Sequence, residues 1–342
     1  MKQDFAPIPE WQDVDPARFR REILPQSRPA VLRGAIRHWP SVQAGLTSPA
    51  ALGAYIKGTD LGKPVDTYVG EPAIKGLFFY RDDMRGFNFE RRKEQIGASI
   101  DRLFAHLDDP EPPAIYVQST PIPEHLPRFG QENVLDLVTQ GVPPRIWIGN
   151  SITVAAHYDL SDNIACVVGG RRRFTLFPPE QLANLYVGPL DFTPAGPPVS
   201  MVSLDEPDLE RYPRFADALA AAQTAELEAG DAIYIPYFWW HHVRSLERFN
   251  VLVNYWWNDA RPPLRSPYDC LLHGMLALRE LPPHQREAWR NVFDYYVFQT
   301  HGDPVAHLAP ESRGGLSALT PERASQMQMM LLRSLTRAIT GK

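Results

Sequence analysis

Three segments of the chain place a histidine two residues before an aspartate: His106-Leu107-Asp108, His157-Tyr158-Asp159 and His301-Gly302-Asp303. Such a pair, completed by a second histidine, holds a divalent metal on one face and leaves its other positions open. That donor set suits the iron(II) of non-haem oxygenases. Spacing alone does not choose among the three segments, but context does. On a strand, residues i and i+2 point to one side and the two donors converge. On a helix they do not share a face. His106 ends a helical pattern and His301 sits in a Gly-Pro loop. Only His157 and Asp159 lie in a strand-like run, TVAAHYD.

The second histidine has to come from a distant strand. AIYIPYFWWHHV offers two neighbours, His241 as the first candidate and His242 as its competitor. Adjacent strand residues face opposite ways, so one of them points inward, and the pattern does not say which. The competing reading makes both histidines ordinary core residues of a tryptophan-rich strand.

With iron, the expected co-substrate is a 2-oxo acid, whose distal carboxylate needs a buried cation. Arg171, Arg172 and Arg173 follow a Gly-Gly turn. Parity puts Arg172 on the face of Phe174 and Leu176, and the other two on the face of Thr175. Arg172 is therefore the inward arginine, and a bidentate carboxylate suits a buried guanidinium. In AIYVQST, Tyr116 and Gln118 alternate onto one face, where the tyrosine hydroxyl can donate to the same carboxylate.

The elements that must position these groups are legible in outline. The first hundred residues mix short helices and strands. Asp15-Pro16 opens a capped helix, PAVLRG (29–34) reads as a strand ending at glycine, and 48–56 and 97–107 are helix-like. From about 113 to 262, short β-branched or aromatic runs are separated by turn residues, the texture of a sandwich or barrel. NIACVV-GG-RRRFTLF has the form of a two-residue hairpin. After about 263 three helical patterns follow, the last opening Thr320-Pro321 with an apolar Met/Leu stripe. That stripe predicts either packing against the barrel or a dimer interface.

Taken together and in order, AIYVQST, AHYD with its following asparagine, GGRRRFTLFPP, YIPYFWWHHV and VLVNYWW resemble the cupin-8 / JmjC-like hydroxylases, and in particular their asparaginyl-hydroxylase branch. The resemblance runs over roughly 113–258, with looser similarity in PAVLRGAIRHWP. It implies a mainly β fold: a double-stranded β-helix (cupin or jelly-roll) core with flanking helices. The domain reading is a catalytic domain over 1–262 and a C-terminal helical segment over 263–342. It implies iron(II) and 2-oxoglutarate, with His157, Asp159 and His241 as the metal ligands rather than His242. It places Tyr116 and Arg172 on the distal carboxylate, Asn163 and Asn254 beside the co-substrate, and Trp256 in the pocket wall. Gln118 and Trp239 fall near the substrate groove or the metal. Two positions depart from the pattern. Arg172 stands where the asparaginyl hydroxylases have lysine, and Val154 stands where they have a threonine hydroxyl. The resemblance also implies a homodimer through the C-terminal helices.

Composition sets the remaining expectations. A net charge of −5 argues against a phosphate backbone as the main partner, leaving a peptide or small-molecule substrate. Two cysteines, Cys166 and Cys270, make neither a disulfide framework nor a thiolate metal site. With no export-type apolar segment in MKQDFAPIPEWQDVD and no run long enough to span a bilayer, the expected location is the cytoplasm.

Overall fold

Runs such as NVLVNYWW and NIACVV are too continuously apolar for a half-exposed surface and must be covered on both sides. The computed structural model describes residues 5–139, 141–194, 196–258 and 267–340, and provides that cover with two facing sheets. The strands among these residues are β1 (Ala6–Pro7), β2 (Glu10–Trp11), β3 (Ala30–Leu32), β4 (Val65–Gly70), β5 (Glu90–Glu94), β6 (Ala114–Pro121), β7 (Pro144–Gly149), β8 (Thr153–His157), β9 (Asp162–Gly169), β10 (Arg171–Phe177), β11 (Gln223–Glu228), β12 (Ala232–Ile235), β13 (Trp240–Ser245) and β14 (Asn250–Trp257). The smaller sheet runs β1-β11-β10-β13-β8 and the larger β2-β3-β12-β9-β14-β7-β6-β4-β5. Pairing is antiparallel except for β1 with β11 and β2 with β3. This is a jelly-roll core with flanking helices.

Alternation along the central strands assigns the two faces of the larger sheet. Ile164, Cys166, Val168, Val251 and Val253 point to one core, shared with Trp39, Leu52, Ile56, Ile100 and Leu103 of the N-terminal helical segments. Ala165, Val167 and Leu252 point the other way, toward Phe174, Leu176 and Val243 of the smaller sheet. Each fully buried aliphatic side chain contributes roughly 1.5–3 kcal/mol, so the two cores rather than strand propensity hold the sheets. Two helices start as expected. Asp15 accepts from Arg18 N at 2.7 Å, and Ser48 Oγ accepts from Ala51 N at 3.0 Å.

The expected hairpin at Gly169-Gly170 is corrected. β9 pairs with β12 and β14, whereas β10 pairs with β11 and β13. Both edges of each strand are taken, so the glycine turn carries the chain from one sheet to the other. Gly170 has φ +76°, and a Cβ there would lie 2.3 Å from Asn250 Oδ1 and 2.7 Å from Phe249 O. Gly170→Ala is expected to destabilise the protein by ~2–4 kcal/mol, read as a lower denaturant midpoint at unchanged slope.

The chain divides into two compact units, Met1–Asn258 and Asp259–Lys342. The boundary at 262/263 read from the sequence lies outside the described residues. In the second unit, helices span Pro267–Leu278, Pro283–Tyr296 and Pro321–Thr340, with Thr320 Oγ1 accepting from Arg323 N at 3.3 Å. Val305 and Ala324 are its only buried apolar side chains among the described residues, while Leu276, Met330 and Ile339 are 79%, 69% and 84% exposed.

Candidate metal centre

β8 and β13 lie side by side in the smaller sheet, with His241 paired to His157. The register slips between His241 and Val243. The two imidazoles stand 4.2 Å apart, and His241 Nε2 lies 3.6 Å from Asp159 Oδ2. One donor atom from each of His157, Asp159 and His241 falls within 4.8 Å of the others, the spacing of a three-ligand cation site. Each histidine turns Nδ1 to the carbonyl two residues before it: His157 to Ala155 O at 2.9 Å and His241 to Trp239 O at 3.1 Å. With Nδ1–H donated to these carbonyls, Nε2 is left as the metal-binding nitrogen.

The strand reading of His-x-Asp needs one correction. β8 ends at His157, and Asp159 lies beyond it. Other contacts bring the carboxylate back. Trp256 Nε1 donates to Asp159 Oδ2 at 3.1 Å, Phe238 N donates to Asp159 O at 3.1 Å, and Tyr158 stacks on Phe238 at 4.2 Å. Phe238 itself is held at φ +67°, a strained position for an aromatic residue. His242 faces the opposite side of β13, into a separate groove with Asp205 and Arg244.

His157 and His242 are both pushed down from 6.5 to about 4, chiefly by burial, with the neighbouring His241 adding to the shift at His157. Both are therefore neutral at pH 7, the form that binds metal. The unfolded chain takes up these protons near 6.5 and the folded one only near 4, so the unfolded state binds more protons in between. Stability without metal is expected to fall as pH drops through that window, by roughly 1.4 kcal/mol per pH unit for each histidine. Denaturant midpoints across the range measure it.

The triad opens into a cavity of about 850 Å³, counting its mouth. Tyr116, Gln118, Asn163, Arg172, Asn254 and Trp256 all line it, as does Val154 together with Thr153. Trp239 does not. Its indole packs in the core beside Ile8 and donates to Ser27 O at 3.2 Å, and its carbonyl is the part that reaches His241. Asn254 Nδ2 donates to Asn163 Oδ1 at 2.8 Å, locking the two amides together.

Arg172 is 1% exposed, yet its Nε and Nη2 have no hydrogen-bond partner among the described residues. Burial pulls its pKa down to about 10, so it remains charged at neutral pH. Burial pushes Tyr116 well up, which keeps its hydroxyl a donor. Trp147 Nε1 and Asn254 Oδ1 are likewise buried without partners among the described residues. Trp147, which stacks on Tyr116, was missed from the sequence: RIWIG fixes an alternation but not which face is inward. A desolvated guanidinium with free donors is costly unless an anion completes it. A carboxylate-bearing co-substrate therefore fits this cavity, and the His/Asp/His donor set fits a divalent metal.

The family model for the cupin-like domain matches residues 16–261. The tRNA wybutosine-synthesizing protein 5 of Danio rerio is 29% identical over 275 residues, covering 75% of this chain and 76% of that protein. The human bifunctional peptidase and (3S)-lysyl hydroxylase JMJD7 is 26% identical over 288 residues, covering 76% and 86%. The lysine-specific demethylase JMJ31 of Arabidopsis thaliana is 40% identical over 105 residues, which are 31% of this chain and only 19% of the plant protein. The matched span takes in all three triad residues and nearly every strand of both sheets, and the chain belongs to the cupin-8, or JmjC-like, family.

Proposed function

We propose that the protein is an iron(II)- and 2-oxoglutarate-dependent oxygenase that hydroxylates a peptide side chain or a small molecule. His157, Asp159 and His241 would hold the iron. The observation that carries the reading is Arg172, a buried cation with unpaired donors in the same cavity as the triad. Leu176 is the partner of His241, and Arg172 lies four residues along β10. A rise of about 3.3 Å per residue separates the two rows by about 13 Å. Side chains and a five-carbon diacid divide that span between them.

Bound iron and 2-oxoglutarate supply the oxidising chemistry: oxygen enters a C–H bond while the co-acid becomes succinate and carbon dioxide. The chain's own part is placement. Arg172 and Tyr116 bind the distal carboxylate, the Asn163–Asn254 pair fixes the flank of the co-substrate, and Trp256 orients Asp159. The apolar walls exclude water from the reacting end. A rival reading, a cupin with another metal and no 2-oxo acid, leaves Arg172 without a purpose. Succinate formation that requires both iron(II) and 2-oxoglutarate decides between them. Its absence from metal-loaded protein would end the oxygenase reading.

The relative named a lysyl hydroxylase supports a peptide substrate, and the net charge of −5 favours peptide over RNA. Self-association through the C-terminal helices is part of the same proposal. It is supported by the exposed Leu276, Met330 and Ile339, and sedimentation velocity tests it. No helix among the described residues is long and apolar enough to cross a membrane, which is compatible with the proposed cytoplasmic location.

A further inference from the structure

One cation on the cavity-facing side of β7 has no ion-pair partner among the described residues. Arg145 lies in β7 two residues before Trp147. Register sets Trp147 opposite Leu252 and Arg145 opposite Asn254. Directly paired residues share a face of the sheet, and Trp147, Leu252 and Asn254 all line the cavity. Arg145 therefore emerges on that face. The step from Trp147 to Arg145 runs the same way as the step along β14 from Leu252 to Asn254. That direction leads on to Trp256 and the Asp159 carboxylate.

The guanidinium is half-buried and held in place by a neutral residue. Arg145 Nε donates to Ser119 Oγ at 2.6 Å, and Nη2 donates to the Ser119 carbonyl. Ser119 has φ +43°, inside the bulge where β6 slips against β7 between Val117 and Thr120. The backbone thus adopts a strained conformation where it grips this arginine. Among the other half-buried arginines of the described residues, Arg18, Arg33 and Arg102 carry carboxylates, whereas Arg313 and Arg323 donate to backbone carbonyls. Arg145 forms no ion pair among the described residues; burial lowers its pKa from the ordinary arginine value, and the Glu124 carboxylate, near but not bonded, opposes that shift. Its Nη1 has no hydrogen-bond partner among the described residues, and Gln118, which lines the cavity, is next to Ser119 in the chain.

We infer that Arg145 determines substrate specificity by binding an acidic side chain of a peptide at the cavity mouth, setting a neighbouring residue of that peptide over the triad. The inference rests on the oxygenase reading for its chemistry but not for its binding step. A peptide is favoured over RNA because the site offers one fixed cation rather than a basic stripe, on a chain of net charge −5. A charge-assisted bond to a partly desolvated guanidinium contributes about 10–100-fold in binding.

The test uses full-length protein loaded with Mn(II) and 2-oxoglutarate, held without oxygen so that binding is read apart from turnover. It is applied to arrays of short peptide pools in which one position is fixed as Glu, Gln or Lys. Wild type is expected to retain Glu-fixed pools about 10-fold or more over Gln-fixed pools. Arg145→Gln should erase that preference, Arg145→Lys should keep part of it, and Arg145→Glu should move it to Lys-fixed pools. The charge-reversal swap separates recognition from mere loss of structure. The inference is overturned if wild type shows no Glu preference or if the preference survives Arg145→Gln. It is equally overturned if total tRNA, run alongside, is the probe whose retention depends on Arg145. If the preference follows Arg145 while iron-loaded protein in air makes no succinate, the oxygenase reading fails and the acidic docking site stands.

Discussion

His241→Ala and Asp159→Ala are expected to lose bound iron and all measurable 2-oxoglutarate turnover, whereas His242→Ala keeps iron at wild-type stoichiometry. The neighbouring histidines look equivalent in the sequence, and the fold makes them opposites. His241 faces Asp159 at 3.6 Å inside the barrel, and His242 faces the outer groove beside Asp205 and Arg244. Removing one of three protein ligands leaves two, too few to hold a labile divalent ion. The affinity loss should exceed the 10–100-fold typical of a supporting residue. His242→Ala opens a buried site and is expected to cost about 1–3 kcal/mol of stability. Iron analysis of the three purified variants decides the matter. Iron lost from His242→Ala and kept by His241→Ala would reverse the ligand assignment.

Arg172→Met is expected to make the protein more stable and catalytically useless at once. Without an anion, the wild-type guanidinium bears the desolvation cost of a buried charge and leaves two donors unmade. Methionine fills similar space without that cost, and replacing buried charges by apolar residues stabilises by about 1–4 kcal/mol in favourable cases. The same substitution removes the anchor of the co-substrate. The melting temperature should therefore rise by several degrees in buffer, while the further rise that 2-oxoglutarate gives wild type should vanish. Arg172→Lys should fall between, since it keeps the charge and loses the fork. A variant that melts lower than wild type and still responds to 2-oxoglutarate would remove Arg172 from the co-substrate site.

How much of this was legible in the sequence follows from the physics of each signal. Alternation in RRRFTLF identified Arg172 because apolar neighbours supplied the phase. WWHHV has no such reference, since Trp240 and Val243 flank the histidine pair on opposite faces and both are buried. Strands with continuous apolar runs were readable; the two-residue β1 and β2 and three longer strands were not. VDTYVG, ERRKE and QTAELE form β4, β5 and β11. β5 is an exposed edge strand whose charged side chains face solvent, and such composition reads as loop. The motif places Trp239 near the substrate groove or the metal; the turn before β13 directs its indole into the core and leaves its carbonyl beside His241. The Gly-Gly hairpin failed for a different reason: local turn chemistry allows a hairpin, but the pairing of the flanking strands is decided by distant partners.

That crossover at Gly170 also governs how the barrel can come into being. Because β9 and β10 enter different sheets, no local hairpin between them can nucleate the structure. Their neighbours β11 to β14 arrive only after a long intervening segment, and β12 must reach back to β3 near the start of the chain. Loop closure has to precede the contacts that reward it, which makes for high contact order and slow folding. A nascent chain still lacking β13 and β14 has neither His241 nor the strand between β7 and β9. The metal pocket is therefore a late product of synthesis, closed only once the chain through Trp257 has cleared the ribosome.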